Sequence, residues 1–523
     1  MDTKHSPSSS SIEALQSANE HLELQLIELK AKLAWYEEQY RLFKHKQFGA
    51  ASERYEGQGL LFNEAEAEAI EDEEPTEEDE SQTQIVSTHT RKKKTARQSL
   101  KDNTTLARSV DTIDLAECDK LCGCGLQRFP MGEEISYKLK VVPAQAEIIE
   151  IHRPKYGCSC EDGIKIAPMP KMPIPKSIAT AELLAWIITS KYCDGLPLYR
   201  LGFIAKRMGV EIARATMADW MIRSALLLER VYLALVARMV EQTALQADET
   251  PIQVLDEPER NPQSKSCMWV YRTTGMQGSP VILYDYQTGR GHEHPDAFLQ
   301  GFKGYLQCDG MSAYKALSEK RQSIRLVGCM AHLRRKFKEA LDAMPKKDQQ
   351  AKKISRSEQA LNMIRNLYAI EQRIKDKSEG ERYRARQEES KPVLDKLKQW
   401  LDKQQALVPP KSLLGKAITY GQNQWPYLVR YLESGLLDID NNAAERAIKP
   451  FVIGRKNWLF AHSVKGARAS AILYSLVETA KANGLEPYAW LTYVLKQLPE
   501  MEAGSSVEHL LPMNLTPADI SKA

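Results

Sequence analysis

From Leu245 the chain reads as a series of strands: "LQADETPIQVL" (245–255), "SCMWVYRTT", "PVILYDYQTGRG" and, after a stretch of helical character at Asp296–Gly301, "GYLQCDGMSAY" (304–314). Runs of β-branched and aromatic residues between turn-formers carry that reading. Two acids stand inside it. Asp248 lies near the middle of the first strand and Asp309 at the end of the fourth, just before Gly310. A carboxylate in a buried strand is costly unless something binds it. Two of them at neighbouring strand positions point to a shared cation.

A third acid follows in "DIDNNAAERAIKP" (Asp438–Pro450). An EF-hand needs a glycine at position six and a glutamate at twelve, where this stretch has Ala443 and Lys449. Locally the segment reads as a capped helix, with Asn442 as N-cap and Glu445 as its N3 partner. A ribonuclease H-like fold would bring Asp248, Asp309 and Glu445 together. Its first and fourth strands lie side by side at the centre of a mixed sheet, and a later helix packs against them. Three such carboxylates can hold two Mg²⁺ ions, with manganese as a substitute, for in-line phosphoryl transfer.

The rest of the chain adds binding elements. Ile12, Asn19, Leu26, Leu33 and Tyr40 repeat every seven residues, and Leu15, Leu22, Leu29 and Tyr36 follow at an offset of three. That is a zipper suited to self-association, with Asn19 setting its register. An acidic run at Glu64–Glu80 and a basic run at Arg91–Arg97 form a charged linker expected to be disordered. Beyond it, "ECDKLCGCG" and "YGCSC" offer Cys122, Cys124, Cys158 and Cys160 as a structural zinc set, with Cys118 as a substitute for Cys122. Cys193, Cys267 and Cys308 lie in apolar runs and read as packing residues. "LGFIAKRMGVEIARATMADWMIRSA" reads as helix, turn at Gly209 and helix. This is a helix-turn-helix that exposes Arg214, Thr216 and Asp219, or else an ordinary helical hairpin.

The net charge of +3 over 523 residues suggests no partner by itself. No apolar run is long enough for a membrane span, and the start is polar, so a cytoplasmic protein with reduced cysteines is expected.

The motifs quoted above, with "GCMAHLRRKF", "LESGLLDIDNNAAERAIKPFVIGRKNWLF" and "SLVETAKANGLEPYAWL", occur in one order from about Leu15 to Leu498. Together they resemble the bacterial transposases of the insertion sequence sixty-six family. The resemblance implies a DDE transposase whose triad is Asp248, Asp309 and Glu445. It also implies a helical insertion between the second aspartate and the glutamate, with Cys329 and His332 as a C-x₂-H pair that either binds metal or, the favoured reading, gives structural support. Such an enzyme would bind the terminal inverted repeats of its element, cleave there and transfer the strand to target DNA. It would act as a homodimer or higher oligomer, and accessory proteins of the same element are expected partners. Arg446, Lys449, Arg455, Lys456, Lys465 and Arg468 make a candidate basic surface, with Trp458 as a base-stacking residue.

The fold expected is α+β and multidomain. The zipper covers 1–55, the linker 56–105, the cysteine segment 106–175 and the helix-turn-helix region 176–240. The catalytic core covers 241–335 and 431–500, split by the insertion at 336–430, and a flexible tail covers 501–523. Rival readings are a non-catalytic DNA-binding regulator, which leaves the strand carboxylates unexplained, and a structure-selective nuclease with the same metal chemistry.

Overall fold

The computed structural model describes residues 146–157, 164–275, 278–344, 354–502 and 504–521. The zipper, the charged linker and the cysteines at 118, 122, 124, 158 and 160 lie outside the described residues. A short antiparallel pair, β1 (Lys155–Gly157) and β2 (Ile164–Ile166), precedes the main body.

Three helices lead into the sheet: α1 (Ala181–Tyr192), α2 (Leu198–Arg207) and α3 (Arg214–Val240). Thr180 caps α1 by accepting the Leu183 N–H at 3.3 Å. Gly209 takes φ +91° at the α2–α3 turn, a conformation that glycine adopts without a Cβ penalty. The α3 helix runs 27 residues, and its buried positions Met217, Met221, Leu228, Val231, Leu235 and Met239 follow helical spacing. They join the same hydrophobic core as the sheet, so the 176–240 region is packed onto the sheet-bearing body.

The sheet begins with a meander of β3 (Ala244–Asp256), β4 (Lys265–Thr273) and β5 (Ile282–Gln287), all antiparallel. After α4 (Glu293–Phe298), strand β6 (Gly304–Gln307) returns to the other side of β3 and runs parallel to it. Then α5 (Ser312–Lys320) leads to β7 (Ile324–Val327), parallel to β6, and the order is β5-β4-β3-β6-β7. A last short strand, β8 (Ala461–Ser463), pairs with the far end of β3. One edge of β3 is therefore paired at residues 244–246 and again at 254–256, with a gap between.

Edge strand β5 is closed by a helix, α12 (Val464–Ala482). Ser475 Oγ accepts the Tyr284 N–H at 2.7 Å, and Thr479 Oγ1 accepts the Ile282 N–H at 3.0 Å. These hydroxyls replace the missing strand and keep a buried edge hydrogen-bonded.

The insertion comprises α6 (Met330–Asp342), α7 (Arg356–Arg373), α8 (Glu379–Ala385), α9 (Lys391–Gln405) and α10 (Leu413–Leu428), with a π-helical turn joining α8 to α9. It builds a second apolar core from Leu333, Phe337, Ile364, Leu367, Leu397 and Leu401 among others. Arg386 is fully buried there. It holds Glu371 through two bonds of 2.9 and 2.7 Å and donates to the carbonyls of Tyr431, Ser434 and Leu437.

The chain closes with α11 (Asn442–Trp458), α12 and α13 (Pro487–Gln497). The segment after residue 500 was expected as a flexible tail, and the structure corrects this. Leu510 and Leu511 are buried, Trp490 Nε1 donates to the Leu510 carbonyl at 3.1 Å, and Arg238 pairs with Glu508 at 2.7 Å. Apolar residues in a short polar context were enough to dock it.

Candidate active site

The register of β3 and β6 brings the two aspartates together. Gln246 lies opposite Gln307, so Asp248 and Asp309 each follow this paired position by two residues. Both glutamines are fully buried, and Gln246 Nε2 donates to Gln307 Oε1 at 3.0 Å. Gln307 Nε2 then donates to the Asp438 carbonyl at 2.7 Å. In a strand, residues two apart share a face, so Asp248 looks toward the 438–445 loop and Glu249 away from it.

Glu445 arrives from that loop. Asn441 is 1% exposed, and its Nδ2 donates to the Ala247 carbonyl at 2.8 Å, inside the unpaired gap of β3. Its backbone N–H donates to Cys329 Sγ at 3.2 Å, and Met330 N–H donates to the Ile439 carbonyl at 3.1 Å. Glu445 then stands in the first turn of α11, which suits a carboxylate. The expected cap is different in the structure. Asn442 is already helical, and its Nδ2 turns back to Asp440 Oδ2 at 2.9 Å, so no capping box forms with Glu445.

Burial, followed by Glu249, Asp309 and Glu445, pushes the Asp248 carboxyl up to about 8. Its opposing contact is the Glu249 N–H, 2.8 Å from Oδ1. Glu249 is pushed up to about 7 by burial and by Asp309, against Arg290 and a bond from Tyr314. Asp309 accepts the Met311 N–H at 3.0 Å. Glu445 has Arg335 at 3.3 Å and His332 at 3.7 Å, while its Oε1 atom is buried without a hydrogen-bond partner. Magnesium fits this set, because all three residues offer hard oxygen donors and their mutual repulsion is what a cation relieves.

The expected nucleic-acid residues divide. Arg214 and Thr216 are exposed at the start of α3, and Arg446, Lys449, Lys456, Lys465 and Arg468 are exposed on α11 and α12. Arg455 instead donates to Thr250 Oγ1 at 3.0 Å and to the Pro251 carbonyl, bridging the gap in β3. Its cation is used inside the fold. Trp458 is likewise a packing residue, with Phe451 edge-on at 5.4 Å and the Lys191 ammonium 5.2 Å from its ring. Those contacts occupy the ring that a base would need. Arg335, Glu249 and the glutamine pair were not anticipated. The repeated "LQAD" and "LQCD" was the available signal, since identical strand ends suggest matched register.

The sequence profile described as "Transposase IS66 family" matches residues 176–469. This chain belongs to the IS66 transposase family. The profile of the IS66 C-terminal element matches residues 475–513, and that of the zinc-finger domain of transposase IS66 matches 119–161. A fourth, described as "Transposase C of IS166 homeodomain", matches 35–105. The zinc-finger match takes in four of the candidate cysteines and leaves Cys118 just outside. Among similar proteins, the uncharacterized protein y4qI of Sinorhizobium fredii is 35% identical over 75% of this chain and 73% of its own length. The uncharacterized proteins y4jD and y4hP of the same organism are 34% and 30% identical, over 77% and 84% of this chain and 79% and 81% of their own lengths. IS66 membership makes the chain a transposase with a zinc-finger segment and DNA as its partner. Among the described residues, no helix is long and apolar enough to cross a membrane.

Proposed function

We propose that this IS66 transposase is a DDE enzyme of ribonuclease H-like fold, with Asp248, Asp309 and Glu445 holding two magnesium ions at the site of DNA cleavage and strand transfer. One observation carries the reading. Asp309 and Glu445, from distant parts of the chain, act electrostatically on Asp248, which burial and its acidic neighbours drive up to about 8. A three-stranded meander, with two parallel strands added beside its first strand, supports the ribonuclease H-like assignment. Bound magnesium would supply Lewis-acid stabilisation of the phosphoryl oxygens and acidify a water.

The chain's own part is positioning. The Gln246–Gln307 bond keeps the two aspartate strands in register, and Asn441 ties the Glu445 loop to Ala247. Arg335 beside Glu445, with the exposed Arg446 and Lys449 of α11, would grip DNA phosphates in a salt-sensitive way. Arg214, Thr216, Lys456, Lys465 and Arg468 would extend that grip along the terminal inverted repeats. In the first step a water oxygen bonds to phosphorus at the element's end and the bond to the 3′ oxygen breaks, freeing a 3′-hydroxyl. In the second, that hydroxyl oxygen bonds to a target phosphorus and the target's own 3′ oxygen leaves.

The N-terminal zipper would form a coiled coil joining copies into a homodimer or larger assembly, and Cys122, Cys124, Cys158 and Cys160 would hold the zinc. Accessory proteins of the element and a cytoplasmic, nucleoid-associated location complete the reading. The test is strand transfer in vitro with element-end DNA and Mg²⁺. Asp248→Ala, Asp309→Ala and Glu445→Ala should each abolish joining, and wild-type joining by all three would sink the assignment.

A further inference from the structure

Cys329, His332 and Glu445 form a second donor set that overlaps the carboxylate site. Cys329 precedes α6 and His332 stands in its first turn, so their three-residue spacing puts both on one helix face. The Cys329 sulfur, one His332 ring nitrogen and a Glu445 carboxylate oxygen all lie within 4.8 Å of one another.

His332 Nδ1 and Glu445 Oε1 are 3.7 Å apart. Two ligands held at about 2.0–2.2 Å by a tetrahedral ion are separated by about 3.4 Å, so one edge of a coordination tetrahedron is nearly formed. Both atoms are buried and lack a hydrogen-bond partner, a costly arrangement that an ion would satisfy. Cys329 Sγ already receives the backbone N–H of Asn441 at 3.2 Å and that of His332, two donors that offset part of the cost of burying a thiolate. Sulfur with imidazole is a donor pair suited to zinc rather than to magnesium.

We propose that Cys329, His332 and Glu445 bind one zinc-class transition-metal ion, and that this ion inhibits the transposase by taking Glu445 from the magnesium site. The binding stands on the donor geometry alone, whereas the inhibition rests on the proposed role of Glu445. Burial pushes the Cys329 thiol up to about 12, so binding displaces its proton to solvent. Water would fill the fourth position.

The experiment titrates full-length protein, with the zinc of its N-terminal segment retained, with Co²⁺. Thiolate-to-cobalt absorption is followed in wild type, Cys329→Ser, His332→Gln and Glu445→Gln. Wild type should take up one equivalent with a thiolate band. Cys329→Ser should lose the band, and His332→Gln, at a part-exposed position, should bind ten-fold or more weakly. Zinc should inhibit magnesium-dependent cleavage by wild type at concentrations that spare Cys329→Ser. Equal cobalt uptake and equal bands in wild type, Cys329→Ser and His332→Gln would overturn the site. Expected cobalt binding together with undiminished cleavage by Glu445→Gln would uphold the site and overturn the inhibition, along with the magnesium role of Glu445.

Discussion

Burial pushes the carboxyls of Asp438 and Asp248 up alike, yet the fold gives the loop acids Asp438 and Asp440 side-chain partners that it does not give Asp248 and Asp309. Asp438 has Arg382 at 3.6 Å and accepts from Gln246 at 3.1 Å. Asp440 accepts from the Tyr368 hydroxyl at 2.8 Å and from the Asn442 N–H at 3.1 Å. Arg382 and Tyr368 belong to the helical insertion, which thereby fixes the loop that delivers Glu445. Asp248 and Asp309 receive only backbone N–H groups among the described bonds, and no ion pair reaches them among the described residues. Where the fold supplies the countercharge, a carboxylate is structure. Where it withholds one, from Asp248 and Asp309, the proposed magnesium would supply it.

The sharpest way to break this comparison is to neutralise one acid from each group. Asp248→Asn should lower DNA cleavage by roughly a thousand-fold or more, as loss of a central electrostatic group does. It should also raise the thermal midpoint in metal-free buffer, because a repelled acid is gone. Asp438→Asn should do the reverse, keeping measurable cleavage and lowering the midpoint. Similar losses of cleavage with similar melting would erase the distinction.

Next in size is the insertion. Arg386→Met takes from Glu371 the nearer of its two cations, leaving only Arg382 at 3.8 Å, and should cost about 3–5 kcal/mol in urea unfolding. A loss below 1 kcal/mol would mean that the insertion does not depend on this pair.

Acid titration sharpens the other side. Asp248 and Glu249 are raised to about 8 and about 7 in the folded chain, against about 4 when unfolded. The folded, metal-free protein therefore keeps protons that the unfolded chain has released. That contribution to stability is complete below about pH 4 and is lost as pH rises through 7 and 8. Midpoints measured without added metal should fall from pH 5 to 8, and Asp248→Asn should flatten the slope. A rise over that range would contradict the assigned burial.

The smallest expected effect is at the rim. Arg335 is exposed beside Glu445, so Arg335→Ala should change stability by ~0–1 kcal/mol. It should weaken DNA binding and reduce its salt dependence. A binding curve unchanged at low salt would remove Arg335 from the interface.

Much of this was legible because hydrophobic runs and turn-formers mark strands locally. β5 and β6 fall within the expected stretches, β3 and β4 match theirs to within one residue at each end, and the acids on or just after them were readable as misplaced charge. β7 was missed, since "IRLV" is four residues long and carries an arginine. The helix start was misread at Asn442 because capping is decided by a hydrogen bond, and Asp440 takes the one that matters. Arg455 and Trp458 looked like surface chemistry beside exposed cations, yet long-range packing against Thr250 and Phe451 claims them. The insertion's own core was not anticipated, and a buried arginine on π-helical geometry has no periodic signature.

The most direct measurement counts bound Mn²⁺, as a magnesium substitute, by paramagnetic resonance in wild type, Asp248→Asn and Asp438→Asn. The account predicts saturable binding in wild type and Asp438→Asn, and loss of at least one ion in Asp248→Asn. Equal manganese uptake by wild type and Asp248→Asn would contradict it.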